Sequence, residues 1–206
     1  MPVAGLWAPA LRMQTLYLWL LWSFNSFTFY ALANWLPTVL ASNGFALDTA
    51  LRLASLTWGG GIAGGLLLAW SFDRLNCRRL VTASALLAGA LLLLALNWTP
   101  PTVRDWGVLL AGIGMAIGGM QSMIPAIAAR LYPPAILATG LSWGGAVGRS
   151  GALLAPLLGA AATDHRPAGG LPLPPLAVPA AVTAAIVARL FATAVPVPHP
   201  RGNLLR

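Results

Sequence analysis

Residues 15–40 read TLYLWLLWSFNSFTFYALANWLPTVL, a continuous stretch without a charged side chain. A helix needs about 20 mainly apolar residues to cross the hydrocarbon core of a bilayer. The apolar run begins near Met13, so it is longer than the apolar core of a secretory signal, and no cleavage site is evident. The stretch therefore predicts a transmembrane helix from about Met13 to Leu40.

The composition of the whole chain supports a membrane environment. The 206 residues are 58% hydrophobic and 8% charged, and the mean hydropathy is +0.78. A soluble domain normally carries about 25% charged residues. Because so few charges cannot cover a surface exposed to water, we expect the lipid bilayer to surround most of the chain.

Five further segments are long and apolar enough to cross the bilayer. They run over about 51–72, 80–98, 106–129, 135–162 and 176–195. Gly and Pro interrupt several of them, which membrane helices tolerate. The predicted fold is an all-α integral membrane protein, with a six-helix transmembrane domain over residues 13–195 and a cytoplasmic tail over residues 196–206.

The basic side chains, all of them Arg, indicate the orientation. Six spans place the N-terminus, the second and fourth loops and the C-terminus on one side of the membrane. That side carries Arg12, Arg74, Arg78, Arg79, Arg130, Arg201 and Arg206. The other side carries Arg52, Arg104 and Arg166. Loops rich in basic residues remain in the cytoplasm, so both termini are predicted to be cytoplasmic.

Other function classes find little support in the sequence. The net charge of +8 could suggest nucleic acid, but the Arg residues fall mostly between apolar segments, so no nucleic-acid partner is expected. Both His residues lie in predicted loops, and Cys77 is the single Cys. The sequence shows no metal-ligand cluster, no nucleophile with a nearby base and no phosphate loop. We therefore predict neither an enzyme nor a cofactor or metal site.

Arg149 is the most informative residue, because it lies about halfway along the fifth predicted helix. An Arg at the centre of a membrane helix costs roughly 2.5 to 3.5 kcal/mol on insertion scales. No Asp or Glu lies within a predicted span to neutralise it. Arg149 could bind an anionic substrate, pair with an acid on another chain or domain, or bond only to backbone carbonyls and water. Intramembrane charges usually mark a substrate or ion pathway, so the first interpretation is favoured.

Small residues flank this charge. Gly140, Gly144, Gly148 and Gly151 form a stripe that lets another helix approach closely, and helix packing is the favoured interpretation of the stripe. Trp143 lies about 120° away around the helix, so we do not expect it beside Arg149.

Two other predicted helices carry polar side chains. In the first, Ser26, Tyr30 and Asn34 recur at four-residue spacing, and Asn25 lies beside them. In the fourth, Gln121 is the corresponding polar residue. Hydrogen bonding between helices is a common role for such groups. The alternative is substrate contact, for which Asn25, Tyr30, Asn34 and Gln121 are the candidates.

Three stretches together resemble the major facilitator superfamily. GGLLLAWSFDRLNCRR (64–79) resembles its cytoplasmic loop between helices eight and nine. QSMIPAIAARLYPPAILATGLSWGGAVGRSGALLAPLLGA (121–160) resembles helices ten and eleven of the aromatic acid/proton symporter family, and residues 15–40 are similar to its helix seven. The loop motif falls on Gly65, Asp73, Arg74, Arg78 and Arg79.

This resemblance implies that the chain corresponds to helices seven to twelve, with residues 1–12 as the remnant of the central cytoplasmic linker. It implies proton-coupled uptake of an aromatic acid or related small organic anion across the plasma membrane, which is the inner membrane in bacteria. Arg149 then matches the helix-eleven Arg of the symporters. Leu137 stands where that family usually has a second Arg, which affects the cytoplasmic gate or the substrate range.

The resemblance also assigns the carboxylate needed for proton coupling to helices one to six. We therefore expect a separate N-terminal transporter half as partner, or, as a weaker alternative, a second copy of this chain, since the two halves of this superfamily are related by an axis along the membrane normal. The alternative function is that of a truncated membrane fragment without transport activity of its own. Either way, the isolated chain is predicted to show no proton-driven uptake.

The orientation can be tested at Cys77, which lies in the predicted cytoplasmic loop over residues 73–79. A membrane-impermeant thiol reagent should leave Cys77 unmodified in intact cells and label it after the membrane is opened, because the loop faces the cytoplasm. Labelling of Cys77 in sealed, intact cells would overturn the predicted orientation.

Overall fold

The computed structural model describes residues 2–42, 44–74, 83–84, 87–88, 91, 102–164 and 174–193. Within these ranges all regular secondary structure is α-helical. The helices are α1 (Pro2–Leu6), α2 (Arg12–Ser42), α3 (Leu47–Arg74), α4 (Val103–Leu131), α5 (Pro134–Asp164) and α6 (Pro174–Thr193).

Five of the six predicted segments coincide with long helices, α2 to α6, and their ends agree to within about one helical turn. The third predicted segment, 80–98, lies mostly outside the described residues. Its described residues, 83–84, 87–88 and 91, are helical. Helix α1 lies within residues 1–12, for which the sequence predicted only a linker. The predicted tail at 196–206 also lies outside the described residues.

Length and hydropathy alone mark two described helices as able to cross a membrane. These are Leu47–Ser71, with a mean hydropathy of 1.3, and Val103–Leu131, with a mean hydropathy of 1.6. Helix α6 contains a shorter apolar stretch, Val178–Leu190. Helices α2 and α5 are as long but do not pass the same hydropathy test. In α2 Trp, Tyr, Asn and Ser replace aliphatic residues, and in α5 Gly, Ser and Arg replace them. Hydropathy thus supports two of the six predicted spans.

Helix α2 ends in a Schellman motif at Gly44. The amide of Gly44 donates to the carbonyl of Ala41 at 3.1 Å, and the amide of Phe45 donates to the carbonyl of Leu40 at 3.2 Å. The φ angle of Gly44 is 90°, which glycine adopts without steric cost. Phe45 then packs edge-on against Trp106, with ring centroids 6.0 Å apart. The motif therefore joins the end of α2 to the start of α4.

Helices α3 and α4 run in the same direction and touch along glycines. A Cβ atom on Gly60 would overlap the carbonyl oxygen of Ala111, and one on Gly64 would overlap that of Met115. From Gly60 to Gly64 the contact moves four residues along α3, and from Ala111 to Met115 it moves four residues along α4 in the same direction. The two helices are therefore parallel. Close backbone contact of this kind requires small residues and is typical of membrane helix packing.

Helix α2 is central, because it contacts each of the other long described helices, α3 to α6. It runs antiparallel to α4, since Asn25 bonds to Gln121 whereas Phe45, beyond the end of α2, lies against Trp106. It runs parallel to α5, the helix that follows α4. Helices α3 and α4 therefore both run antiparallel to α2, whereas α5 runs parallel to it.

Large apolar side chains also cover outer faces of the bundle. On α3, Ile62 and Leu66 are 69% and 68% exposed, and on α5, Leu153 and Leu157 are 70% and 66% exposed. Each pair has the four-residue spacing of a single helix face. Apolar faces of this size need lipid or another protein to cover them.

Gly60 and its neighbour Gly59 provide a matched test of the packing between α3 and α4. Gly60→Ala should lower the free energy of unfolding by ~1–3 kcal/mol, because the added methyl group presses on the backbone of Ala111. No described atom lies within 4 Å of the Cβ position of Gly59. Gly59→Ala should thus be neutral or stabilising by up to ~1 kcal/mol, because alanine favours the helix.

Thermal unfolding of both variants in the same detergent, followed by circular dichroism, measures the difference. Equal melting temperatures for Gly59→Ala and Gly60→Ala would show that the backbones of α3 and α4 are not in contact at this position.

Candidate functional site

Arg149 lies near the middle of α5, and its side chain is exposed. Within the described part of the chain it has no hydrogen-bond or ion-pair partner. An ion pair does form elsewhere, between Asp48 and Arg52 at the start of α3, with 3.0 Å between Oδ2 and Nε. Of the three interpretations that the sequence left open, bonding of Arg149 to backbone carbonyls is therefore not observed among the described residues.

Three glycines of the stripe, Gly144, Gly148 and Gly151, are covered by helix α2, whereas Gly140 meets the Tyr132 ring. The Trp22 ring lies 3.0 Å from the Cβ position of Gly144 and 2.6 Å from that of Gly148. A Cβ on Gly151 would overlap the carbonyl oxygen of Ser23. The stripe thus serves helix packing, the interpretation favoured from the sequence, although its main partner is an aromatic ring.

These contacts show which part of α2 is level with Arg149. Gly148 directly precedes Arg149 and lies on Trp22, whereas Gly151 lies 3.1 Å from the amide nitrogen of Phe27. Arg149 is therefore level with residues 22–27 of α2.

A buried hydrogen-bond network occupies the same segment of α2, on the side that faces α4. The amide of Asn25 donates to Oε1 of Gln121 at 2.6 Å, and a longer contact of 3.4 Å leads to the carbonyl of Ile117. The amide of Gln121 donates to Oγ of Ser26 at 3.1 Å. Asn25 is 3% exposed and Ser26 2%, whereas Gln121 is only partly buried. Two candidates from the sequence, Asn25 and Gln121, are therefore brought together.

The other two candidates on α2 lie apart from this network. The amide of Asn34 donates to the carbonyl of Tyr30 at 2.9 Å, within the same helix. Tyr30 is 40% exposed, and its ring meets Phe29 edge-on with centroids 5.5 Å apart. Phe29 in turn meets Trp58 of α3 at 5.0 Å. Tyr30 and Asn34 therefore present exposed groups on α2, without the buried amide partner that Asn25 has.

The loop motif is only partly described. Gly65 packs against Ser122 of α4, whose Oγ lies 3.1 Å from the Cβ position of the glycine. Asp73 and Arg74 belong to the last turn of α3. The remaining motif residues, 78 and 79, lie outside the described residues.

An aromatic stack at one end of the bundle was not predicted from the sequence. Trp19 stacks on Trp143 with centroids 6.4 Å apart and meets Trp7 edge-on at 5.5 Å. Trp143 is thus engaged away from Arg149, as its angular position on the helix indicated. The three-residue spacing of Trp19 and Trp22 on α2, together with the glycines of α5, was the available signal for these contacts.

Sequence comparison identifies the family. Residues 1–156 match the Major Facilitator Superfamily, which is more than half of the chain.

Individual relatives have informative names. The 4-hydroxybenzoate transporter PcaK of Acinetobacter baylyi is 33% identical over 171 residues, which cover 82% of this chain and 37% of that protein. A gallate transporter of Pseudomonas putida is 33% identical over 78% of this chain and 35% of its own length. The 3-(3-hydroxy-phenyl)propionate transporter of Escherichia coli is 39% identical over 76% of this chain and 38% of its own length.

The chain spans little more than a third of the length of these curated relatives. The match nevertheless covers all of α1 to α4 and most of α5, including the segment around Arg149. With its all-helical described structure and its glycine-packed apolar helices, the chain belongs to the major facilitator superfamily of membrane proteins.

Proposed function

We propose that this chain forms part of a secondary active transporter for an aromatic carboxylate or a related small organic anion. The observation that carries the proposal is Arg149, an exposed charge near the middle of a long helix with no partner among the described residues. An Arg at this depth in a bilayer costs roughly 2.5 to 3.5 kcal/mol, and such residues mark substrate or ion pathways. A substrate carboxylate offsets that cost when it binds.

The relatives support an aromatic acid as the substrate class. Three of them are named for hydroxybenzoate, gallate and hydroxyphenylpropionate, which share an aromatic ring and a carboxylate. A guanidinium holds a carboxylate by two parallel hydrogen bonds, and Arg149 supplies that group. The exposed ring of Tyr30, about one turn beyond Phe27 on α2, is available to the aromatic part of the substrate.

The polar network between α2 and α4 has a supporting role in this proposal. Gln121 is partly exposed, so its free amide hydrogen is available to a substrate, whereas Asn25 and Ser26 are too buried for direct contact. Asn25 and Ser26 therefore orient the Gln121 side chain.

The direction of the helices supports an architecture of six spans. Because α3 and α4 are parallel, the chain between them has to return from one end of the bundle to the other. In this superfamily a second six-helix half completes the transporter, and the exposed apolar faces of α3 and α5 provide surfaces for it. We propose an N-terminal half as that partner, with a second copy of this chain as the weaker alternative, and a cytoplasmic location for both termini.

Proton coupling is assigned to that other half. The four Asp residues of this chain lie in the first or last turns of described helices. They are Asp48, Asp73, Asp105 and Asp164. A coupling carboxylate has to alternate between the two sides from within the membrane, which these positions do not allow.

The role of Arg149 can be tested by two substitutions. Arg149→Gln should lower uptake of labelled hydroxybenzoate by more than about tenfold, because a hydrogen bond to a charged group contributes ~1.5–3 kcal/mol. Arg149→Lys keeps the charge but loses the second parallel bond, so uptake should fall to an intermediate level. The assay uses vesicles that contain equal amounts of each variant together with the N-terminal half.

Ser150→Ala is the matched control, because Ser150 is also exposed and its hydroxyl donates to the carbonyl of Val147 in the same helix. Ser150→Ala should transport like the parent. Undiminished uptake by Arg149→Gln would refute the substrate role and favour pairing of Arg149 with an acid elsewhere.

The network predicts coupling between Asn25 and Gln121. Asn25→Ala and Gln121→Ala should each destabilise the chain, and the double variant should lose less than the sum of the two losses, with a coupling of ~0.6 kcal/mol. Unfolding of the four proteins in one detergent measures this difference. Strictly additive losses would indicate that the 2.6 Å bond does not contribute to stability.

A further inference from the structure

We propose that an open groove between the N-terminal parts of α3 and α4 binds an anionic phospholipid. The groove has a volume of about 640 Å³ and is formed by both helices. Its lining residues are Asp48, Thr49, Arg52, Leu53, Leu56, Val103, Arg104, Gly107, Val108 and Ala111. The inference does not depend on the proposed transport function, because it uses only the membrane location of the helices.

The groove is basic at its rim and apolar along its wall. Arg52, in the second turn of α3, and Arg104, in the first turn of α4, lie at the rim, and both are exposed. Towards the middle of the helices the wall consists of Leu56, Val108 and Ala111. This order of a charged end followed by an apolar channel matches a phospholipid, whose headgroup lies at the interface and whose chains extend into the membrane.

The charges at the rim leave room for a phosphate. Asp48 binds Nε of Arg52 at 3.0 Å, which leaves the two terminal amino groups of that guanidinium without a partner among the described residues. Arg104 has no ion pair in the described part of the chain. Among the residues that line the groove, two guanidinium groups face one carboxylate, whereas the neighbouring Asp105 accepts a hydrogen bond from the Thr102 hydroxyl at 2.6 Å. A phosphodiester provides the acceptor oxygens that guanidinium groups bind strongly.

The groove opens towards the outside of the bundle. On α3 it is lined by Arg52 and Leu56, whereas α2 packs against the face with Ala54, Thr57 and Trp58. These two sets lie on different sides of the helix at about 100° per residue. Val103 and Val108 are 51% and 68% exposed on the open side. In a membrane, an apolar groove that faces away from the bundle is in contact with lipid.

Native mass spectrometry of the purified chain in detergent tests the proposal. The protein is mixed with equal amounts of palmitoyl-oleoyl phosphatidylglycerol, which is anionic, and of the phosphatidylcholine with the same chains, which is zwitterionic. The parent should retain mainly phosphatidylglycerol. Arg104→Gln should reduce the fraction with bound phosphatidylglycerol by about fivefold, the contribution of one basic residue near an anionic headgroup. Arg52→Gln should reduce it further, because Asp48 then has no partner.

The matched control is Arg12→Gln, which removes one exposed Arg at the start of α2, the opposite end of the bundle. It should change the bound fraction by less than about twofold. Equal losses for Arg12→Gln and Arg104→Gln, or equal retention of both lipids by the parent, would overturn the proposal. Displacement of phosphatidylglycerol by added hydroxybenzoate would overturn it as well, since the groove would then be a site for the transported anion.

Discussion

The backbones of α3 and α4 meet at glycines where a single added carbon atom would overlap a carbonyl oxygen. Inside a bilayer the surrounding lipid is as apolar as the side chains, so helices associate through close packing and hydrogen bonds between them. The glycines of α5 do the same for α2, with Trp22 and the backbone of Ser23 filling the space. Helix α4 also packs against α2, and there the amide nitrogen of Asn25 lies 2.6 Å from Oε1 of Gln121.

The same packing separates two kinds of polar group. Asn25, Ser26 and Gln121 bond to one another between helices, so their burial carries little cost. Arg149 lies at the same level, yet it points to an exposed surface and has no partner among the described residues. In a low-dielectric setting such a charge attracts an anion strongly. The proposed binding of a small carboxylate rests on this unpaired guanidinium, which is level with the supported amide of Gln121.

Much of the helical framework could be predicted from the sequence, because apolar length and turn residues are local properties. Helices α2 to α6 follow from such signals. Helix α1 could not be predicted, because it is short and contacts distant residues, such as Ile136, whose side chain lies 3.1 Å from the Cβ position of Gly5.

The site was predicted less completely. The sequence identified Arg149, Asn25 and Gln121 as separate candidates, but only the packing of three helices shows that Asn25 and Gln121 bond and that Arg149 is level with them. Tyr30 and Asn34 share a helical face with Ser26 in projection. They diverge from it in the structure because α4 covers Ser26 and leaves Tyr30 exposed. The groove at Arg52 and Arg104 joins residues about 50 positions apart, a distance over which sequence periodicity carries no information.

The most direct test of the central claim compares two ligands of similar shape, one with a carboxylate and one with a neutral amide in its place. Calorimetric binding of hydroxybenzoate and of its neutral amide, hydroxybenzamide, is measured on the chain assembled with its N-terminal half. If Arg149 holds the carboxylate, the parent should bind hydroxybenzoate at least about tenfold more tightly than the amide, and Arg149→Gln should remove that difference. Equal affinity of the parent for both ligands, or an undiminished preference in Arg149→Gln, would contradict the account.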